Sequence, residues 1–194
     1  TLDSFCLNKQ VFPRCPINAL GIQVNSEQLF SVEHQYIVLV ENLAVMAHLA
    51  DLHLPEVLKK ALWLYRGDVK TSQQTATAYQ LFRRFQHSHH LVCFSDLDPK
   101  GLEIALTSGA DSWLTVKTLA ALDLPLHGDE HEWDKQANSI HFLDSKLDQL
   151  PSSAWLASFE AMKLKRKTLK QEHILAHQLA LTLLPIADVD PVNN

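Results

Sequence analysis

Cysteine, glycine and aromatic side chains are scarce in this chain of 194 residues, and no apolar run in it is long. The three cysteines, Cys6, Cys15 and Cys93, are odd in number and show no CxxC spacing. That excludes a disulfide framework and a zinc ribbon, and a reducing cytoplasm is the expected setting. Apolar runs such as Tyr36–Val40 reach about five residues, whereas a membrane-spanning helix needs about 20. A soluble chain with no membrane partner is therefore expected. The charged, apolar and small-residue succession of a signal peptide is also missing, and because the first residue is Thr1 we expect an excised domain. Positive charge is short as well. With 17 basic and 22 acidic residues the formal net charge is −5, which excludes a cationic nucleic-acid glove and leaves only local or metal-bridged contact with nucleic acid.

What is present is apolar material, 46% of the chain, enough to build a real core. The first 35 residues hold two short apolar stretches, Ile17 to Val24 and Leu29 to Val32, divided by Asn25 and Ser26, and read as a small hairpin. Tyr36-Ile37-Val38-Leu39-Val40 is the strongest strand signal, apolar on both faces as a strand inside a helix-covered parallel sheet must be. Leu43, Val45, Met46 and Leu49 then recur at helical spacing, and Ala61–Tyr65 is a second strand candidate. Ala78, Leu81, Phe82 and Phe85 mark one face of a helix over residues 71–86. A third buried strand, His90–Phe94, runs into Ser95-Asp96-Leu97-Asp98-Pro99-Lys100-Gly101. Asp98 suits a cap and Pro99 a first helical position, so a helix is expected to follow. Trp113–Val116 is a fourth strand.

Strands alternating with helices at this spacing predict an α/β, Rossmann-like parallel sheet of about four strands flanked by helices. We divide the chain into an N-terminal hairpin segment (1–35), a core (36–123), a C-terminal part of two or three helices (124–186), in which Thr168 and Gln171 suit a capping box, and a tail (187–194).

Ligands of open α/β sheets bind outside the carboxyl ends of the strands, so acids placed there carry weight. Glu41 ends the first core strand, while Asp96 and Asp98, spaced i and i+2, follow the third. Grouped hard oxygen ligands suit Mg²⁺ or Mn²⁺, which takes one or two carboxylates plus substrate phosphate oxygens. Gly101 and Lys100 lie in the motif loop, where a phosphate could approach a helix N-terminus. Lys163, Lys165, Arg166, Lys167 and Lys170 form a cationic stretch, either a phosphate-contacting stripe or a solvated helix face. His173 and His177 are one helical turn apart but lack the glutamate of HExxH, and read as surface or core residues.

Val38-Leu39-Val40-Glu41-Asn42, Leu64-Tyr65-Arg66-Gly67 and Phe94-Ser95-Asp96-Leu97-Asp98-Pro99-Lys100-Gly101 together resemble a Toprim domain, the module shared by topoisomerases, primases and certain nucleases. Within that superfamily the wording is most similar to the nuclease subunit of the Wadjet plasmid-defence system, itself similar to the A subunit of archaeal type II topoisomerases. The likeness spans about Ile17 to Val116, and Gln171-Glu172 is similar to a Gln-Glu pair in the C-terminal part of the Wadjet subunit. The resemblance implies a Toprim-like fold in which Asp96 and Asp98 hold Mg²⁺ while Glu41 is a further ligand or general acid/base. It also implies DNA as partner; Lys100 and Gly101 in the motif loop, and Lys163, Lys165, Arg166 and Lys167 of the cationic stretch, are the candidate contacts read from position and charge. The expected activity is Mg²⁺-dependent phosphodiester hydrolysis within a larger defence nuclease, alongside SMC-like subunits or as a homodimer. One departure is plain: topoisomerase relatives attack with a tyrosine on a separate domain, and here Tyr36, Tyr65 and Tyr79 all fall inside expected core elements. Hydrolysis by metal-bound water is the better expectation, and a non-catalytic DNA-binding or scaffold module is the alternative. Receiver-domain and dehalogenase-type readings fail on the order in which their acids would have to occur.

Overall fold

The computed structural model describes residues 4–13, 21–67, 72–124 and 130–186. Its centre is a five-stranded sheet built from β3 (Tyr36–Val40), β4 (Leu62–Tyr65), β5 (His90–Phe94), β6 (Ser112–Val116) and β7 (Leu181–Pro185), in the order β4-β3-β5-β6-β7. The first four run parallel and β7 closes the edge antiparallel to β6. A parallel sheet needs both faces covered, and the last four residues of β3, β5 and β6 are buried in succession. Val38, Val40, Phe94, Trp113 and Leu114 are fully buried, as are Phe82, Trp155 and Phe159 from the helices. Trp113 packs on Trp155 at 4.9 Å between ring centroids, so both act in packing.

Helix α1 (Leu43–Met46) follows β3, α2 (Ser72–Arg84) follows β4 and α3 (Pro99–Ser108) follows β5. The 71–86 periodicity is realised in α2, where Leu81 and Phe82 are buried, as is Phe85 just past its end. The expected helix after β3 is shorter than its pattern. It stops after one turn and gives way to 3₁₀ turns at Leu49–Asp51 and Glu56–Leu58, the second opened by Pro55, whose ring cannot continue a helix.

Three expectations are corrected. The N-terminal hairpin exists, but as β1 (Ser4–Leu7) and β2 (Gln10–Pro13), because Asn8 and Lys9, at φ 51° and 63°, supply a two-residue turn with both central residues left-handed. Asn25 instead accepts from the Glu27 amide and opens a 3₁₀ turn; residues 14–20 lie outside the described ones. Second, the part beyond residue 124 is not helical throughout. It holds α4 (Glu130–Asp134), α5 (Ala137–Asp144), α6 (Ser153–Lys165) and α7 (Gln171–Ala176), and then β7, so its end belongs to the central sheet. Third, no capping box joins Thr168 and Gln171. Lys170 caps α7, with its amide donating to His173 Nδ1 at 3.2 Å, because the chain just before it is held in a two-way backbone pairing of Leu169 with Leu97. Residues 187–194, the expected tail, lie outside the described ones.

Candidate active site at the strand ends

Strand order fixes where this site lies. From β3 the chain moves to β4 on one side, while from β5 it moves to β6 on the other. The loops leaving these adjacent strands diverge, and a crevice opens at their carboxyl ends. The register aligns Val40 with both Tyr65 and Phe94, so Arg66, Glu41 and Ser95 leave the sheet at one level. Backbone bonds hold them there: the Glu41 amide donates to Phe94 O at 3.1 Å and the Arg66 amide to Val40 O at 3.0 Å.

Glu41 and Asp96 meet in this crevice. The Glu41 side chain is 18% exposed; its Oε1 accepts from Arg66 Nη2 at 2.6 Å and its Oε2 from the Asp96 amide at 3.4 Å. Asp96 Oδ1 accepts from the Gln171 amide at 2.8 Å, while Oδ2 accepts no hydrogen bond among the described residues. Asp98, 7% exposed, caps α3: its Oδ1 accepts from the Gly101 amide at 2.6 Å and its Oδ2 from Gln136 Nε2 at 2.6 Å.

All three carboxyls are pushed above their ordinary range, and burial is the main cause in each. The charges of Glu41 and Asp98 raise Asp96 further. Asp98 also raises Glu41, against which the Arg66 guanidinium works. Asp98 is partly relieved by its bonds from Gly101 and Gln136. Ionised together, these carboxyls would repel one another and be poorly solvated, and a divalent cation would offset both costs.

The donor chemistry fits Mg²⁺ or Mn²⁺, with hard oxygens, one of them open. Among the described residues, however, no three His, Cys, Asp or Glu side chains close on a common point. Such a set suits an ion that keeps most of its water and takes one or two carboxylates, with Glu41 and Asp96 the best placed, rather than an all-protein cage.

The expected phosphate contacts divide. Gly101 is buried, and a Cβ there would lie 2.0 Å from the Asp96 carbonyl oxygen; glycine is required for α3 to pass under the Asp96 backbone. Ser95 adds to this packing by donating to Gly101 O at 2.8 Å while accepting from Trp113 Nε1. Lys100 is exposed and pairs with Glu103 at 2.8 Å. Lys163 pairs with Asp144 at 2.8 Å, Lys165 with Asp123 and Arg166 with Asp134 at 2.6 Å, so α6 is tied to three neighbouring segments. Lys167 lies near Asp123, whose carboxyl it helps to hold down.

Three participants carry little signal in the sequence. Gln171 is fully buried; besides its amide bond to Asp96, its Oε1 accepts from the Asn42 amide at 3.1 Å and its Nε2 donates to Phe94 O at 2.8 Å. One residue thus ties the loop after β3 to the loop after β5. Gln136, just before α5, holds the loop after β5 alone, donating to Asp98 Oδ2 and accepting from the Lys100 amide at 2.8 Å. Burial raises the phenol of Tyr79, on α2, which lies close enough to Arg66 and Glu41 to feel their charges, so it is a neutral neighbour of the pair. Gln171 was visible only as part of a Gln-Glu pair, and Gln136 and Tyr79 stood in no motif.

Fold and site together define an α/β protein with acids lining the switch point of a mostly parallel sheet. Residues 2–183 match the model of a domain of unknown function, DUF7281, and the chain belongs to that family. No curated protein and no solved structure matches it. No helix among the described residues is long and apolar enough to cross a membrane.

Proposed function

We propose that this chain is a Mg²⁺-dependent DNA endonuclease of the Toprim type. The observation that carries the reading is the placement of Glu41, Asp96 and Asp98 at the β3/β5 switch point, Asp98 buried and the other two partly buried, each with its carboxyl raised. The order of the motifs, Glu after one strand and DxDPxG after the next but one, supports the Toprim assignment. When bound, the ion stabilises charge on the scissile phosphate and supplies an activated water. The chain's own part is placement. Asp96 presents an open oxygen with its other one fixed by Gln171, Asp98 keeps the loop on the end of α3, and Glu41 faces both from the neighbouring strand. A role in plasmid defence beside SMC-like subunits in the cytoplasm rests on the motif resemblance. A double-strand break would further ask for two sites and hence a homodimer.

The second reading is a non-catalytic Toprim module that binds DNA or acts as a scaffold. It is favoured by the Glu41–Arg66 pair, which already occupies one of the acids, and by the lack of a closed three-ligand set among the described residues. Nicking of supercoiled plasmid in Mg²⁺ or Mn²⁺ by the native chain, Glu41→Ala and Asp98→Ala decides between them. Cutting by the native chain that is lost in both folded variants is the expected result. A folded native chain that never cuts moves the assignment to the scaffold module or to an assembly completed by partner subunits.

A further inference from the structure

Among the described residues, four buried side-chain polar atoms lack a hydrogen-bond partner, and one of them, Arg66 Nε, belongs to a residue bonded to the acidic cluster. The Arg66 side chain is 11% exposed. Its guanidinium carries five N–H donors in a planar fork. Nη2 is given to Glu41 at 2.6 Å, but Nε is left over. A buried, permanently charged group with an unused donor is costly to keep unless a ligand completes it. Its position strengthens the case, since it leaves β4 level with Glu41 at the crevice where ligands of such sheets bind. The Arg66 amide is fixed to Val40 O, and Gly67 next to it sits at φ 89°. The lysines nearby have acids of their own, Lys100 with Glu103 and Lys170 with Glu132 at 3.6 Å.

We propose that Arg66 holds the substrate phosphate in this crevice, its ion pair with Glu41 being the arrangement the site adopts before cation and nucleic acid arrive. The inference rests on the nuclease reading and adds to it a substrate-binding residue. A cation that takes Glu41 removes the counter-charge of Arg66. A phosphate diester returns that charge, and its paired non-bridging oxygens match the guanidinium fork.

The test uses the full chain, a 20-base-pair DNA duplex in Ca²⁺ to measure binding without cleavage, and Mn²⁺ alone to measure the acidic site. For Arg66→Gln the expected results are duplex binding weakened about tenfold or more, a salt dependence shallower by about one unit of log K per log salt, and Mn²⁺ binding at least as tight as in the native chain. Equal losses of duplex and Mn²⁺ binding would mean that Arg66 merely props Glu41, and would overturn the proposal. Arg66→Lys guards against a folding defect, because it keeps the charge and the pairing with Glu41 but not the fork. Its expected signature is about tenfold weaker duplex binding at an unchanged salt slope, and native-like binding overturns the proposal. A native chain that binds both probes while both variants match it removes Arg66 alone. A folded native chain that binds neither probe overturns the nuclease reading and this inference together.

Discussion

The chain concentrates charge in two places and treats it oppositely. At the strand ends Asp98 is buried and Glu41 and Asp96 are partly buried, with one ion pair among them, whereas at the end of α6 Lys163, Lys165 and Arg166 are more exposed and each has an acid. Exposed pairs contribute about 0–1 kcal/mol and are readily exchanged. Buried like charges cost stability and persist only where something else requires them. The comparison therefore assigns function to the acidic crevice and joinery to the basic stretch, and mutations can test each side of it.

The largest expected effect comes from Gly101→Ala. The new Cβ would meet the Asp96 carbonyl oxygen, a backbone atom, at 2.0 Å, so either α3 or the motif loop must move. Overpacking against flexible side chains costs about 1–3 kcal/mol, and a backbone obstacle should cost about 3 kcal/mol or more. Denaturant unfolding should show a lower midpoint, and an unchanged midpoint would mean that the packing of the crevice loop is looser than described. Next comes Gln171→Ala, which leaves the Asn42 amide and Phe94 carbonyl without their side-chain partner. At about 1–3 kcal/mol for each buried group left unsatisfied, a loss of about 2–3 kcal/mol is expected. Metal-dependent activity should suffer more than stability, since the Asn42 and Asp96 loops would no longer be held in register.

That Gln171 matters so much shows what could be read from the sequence and what could not. β3 and β5 are legible to the residue, because a both-faces apolar, β-branched run bounded by polar residues admits few other readings. The Asp98 cap and Pro99 are legible for the same local reason. β7 is not. Leu181–Pro185 is a short stretch of leucines broken by Thr182, behind helices, and only its long-range pairing with β6 makes it a strand. The hairpin was misplaced because Ile22 and Val24, apolar in sequence, are 41% and 39% exposed, while the turn-forming Asn8-Lys9 lacks the glycine that usually marks such a turn. Within the site, acids at strand ends declare themselves. A glutamine placed there from a separate helix, 129 residues beyond the amide it bonds, depends on tertiary structure that no local pattern encodes.

The third test concerns sign. In divalent-free buffer Asp96→Asn should raise the melting temperature, since Asn keeps an acceptor for the Gln171 amide and removes a charge crowded by Glu41 and Asp98. Each kcal/mol gained should appear as about 2–4 °C in a chain of this size. Glu41→Gln should gain less or lose, because Glu41 alone is offset by Arg66. Saturating Mg²⁺ should reverse the contrast by stabilising the native chain selectively, by about 2.7 kcal/mol at a concentration 100 times the dissociation constant. A native chain indifferent to Mg²⁺ and Mn²⁺ would remove the ion from the account of the crevice.

The smallest effect should come from the basic stretch. Arg166→Ala removes a 2.6 Å pair whose side chains are 55% and 56% exposed, and the expected loss is under about 1 kcal/mol and fades with added salt. Two features work in opposite directions at this position. Arg166 sits at φ 49° as the left-handed cap of α6, where alanine carries the same backbone strain and glycine would relieve it, so Arg166→Gly should cost less than Arg166→Ala despite removing more side chain. Double substitution of Lys165 and Arg166 measures whether the stretch also meets DNA: two lost phosphate contacts would lower the salt slope by about 1.8, while a purely internal role leaves it alone. A slope change there larger than that of Arg66→Gln would reverse the assignment, placing the nucleic acid on α6 and leaving the acidic crevice as the joint.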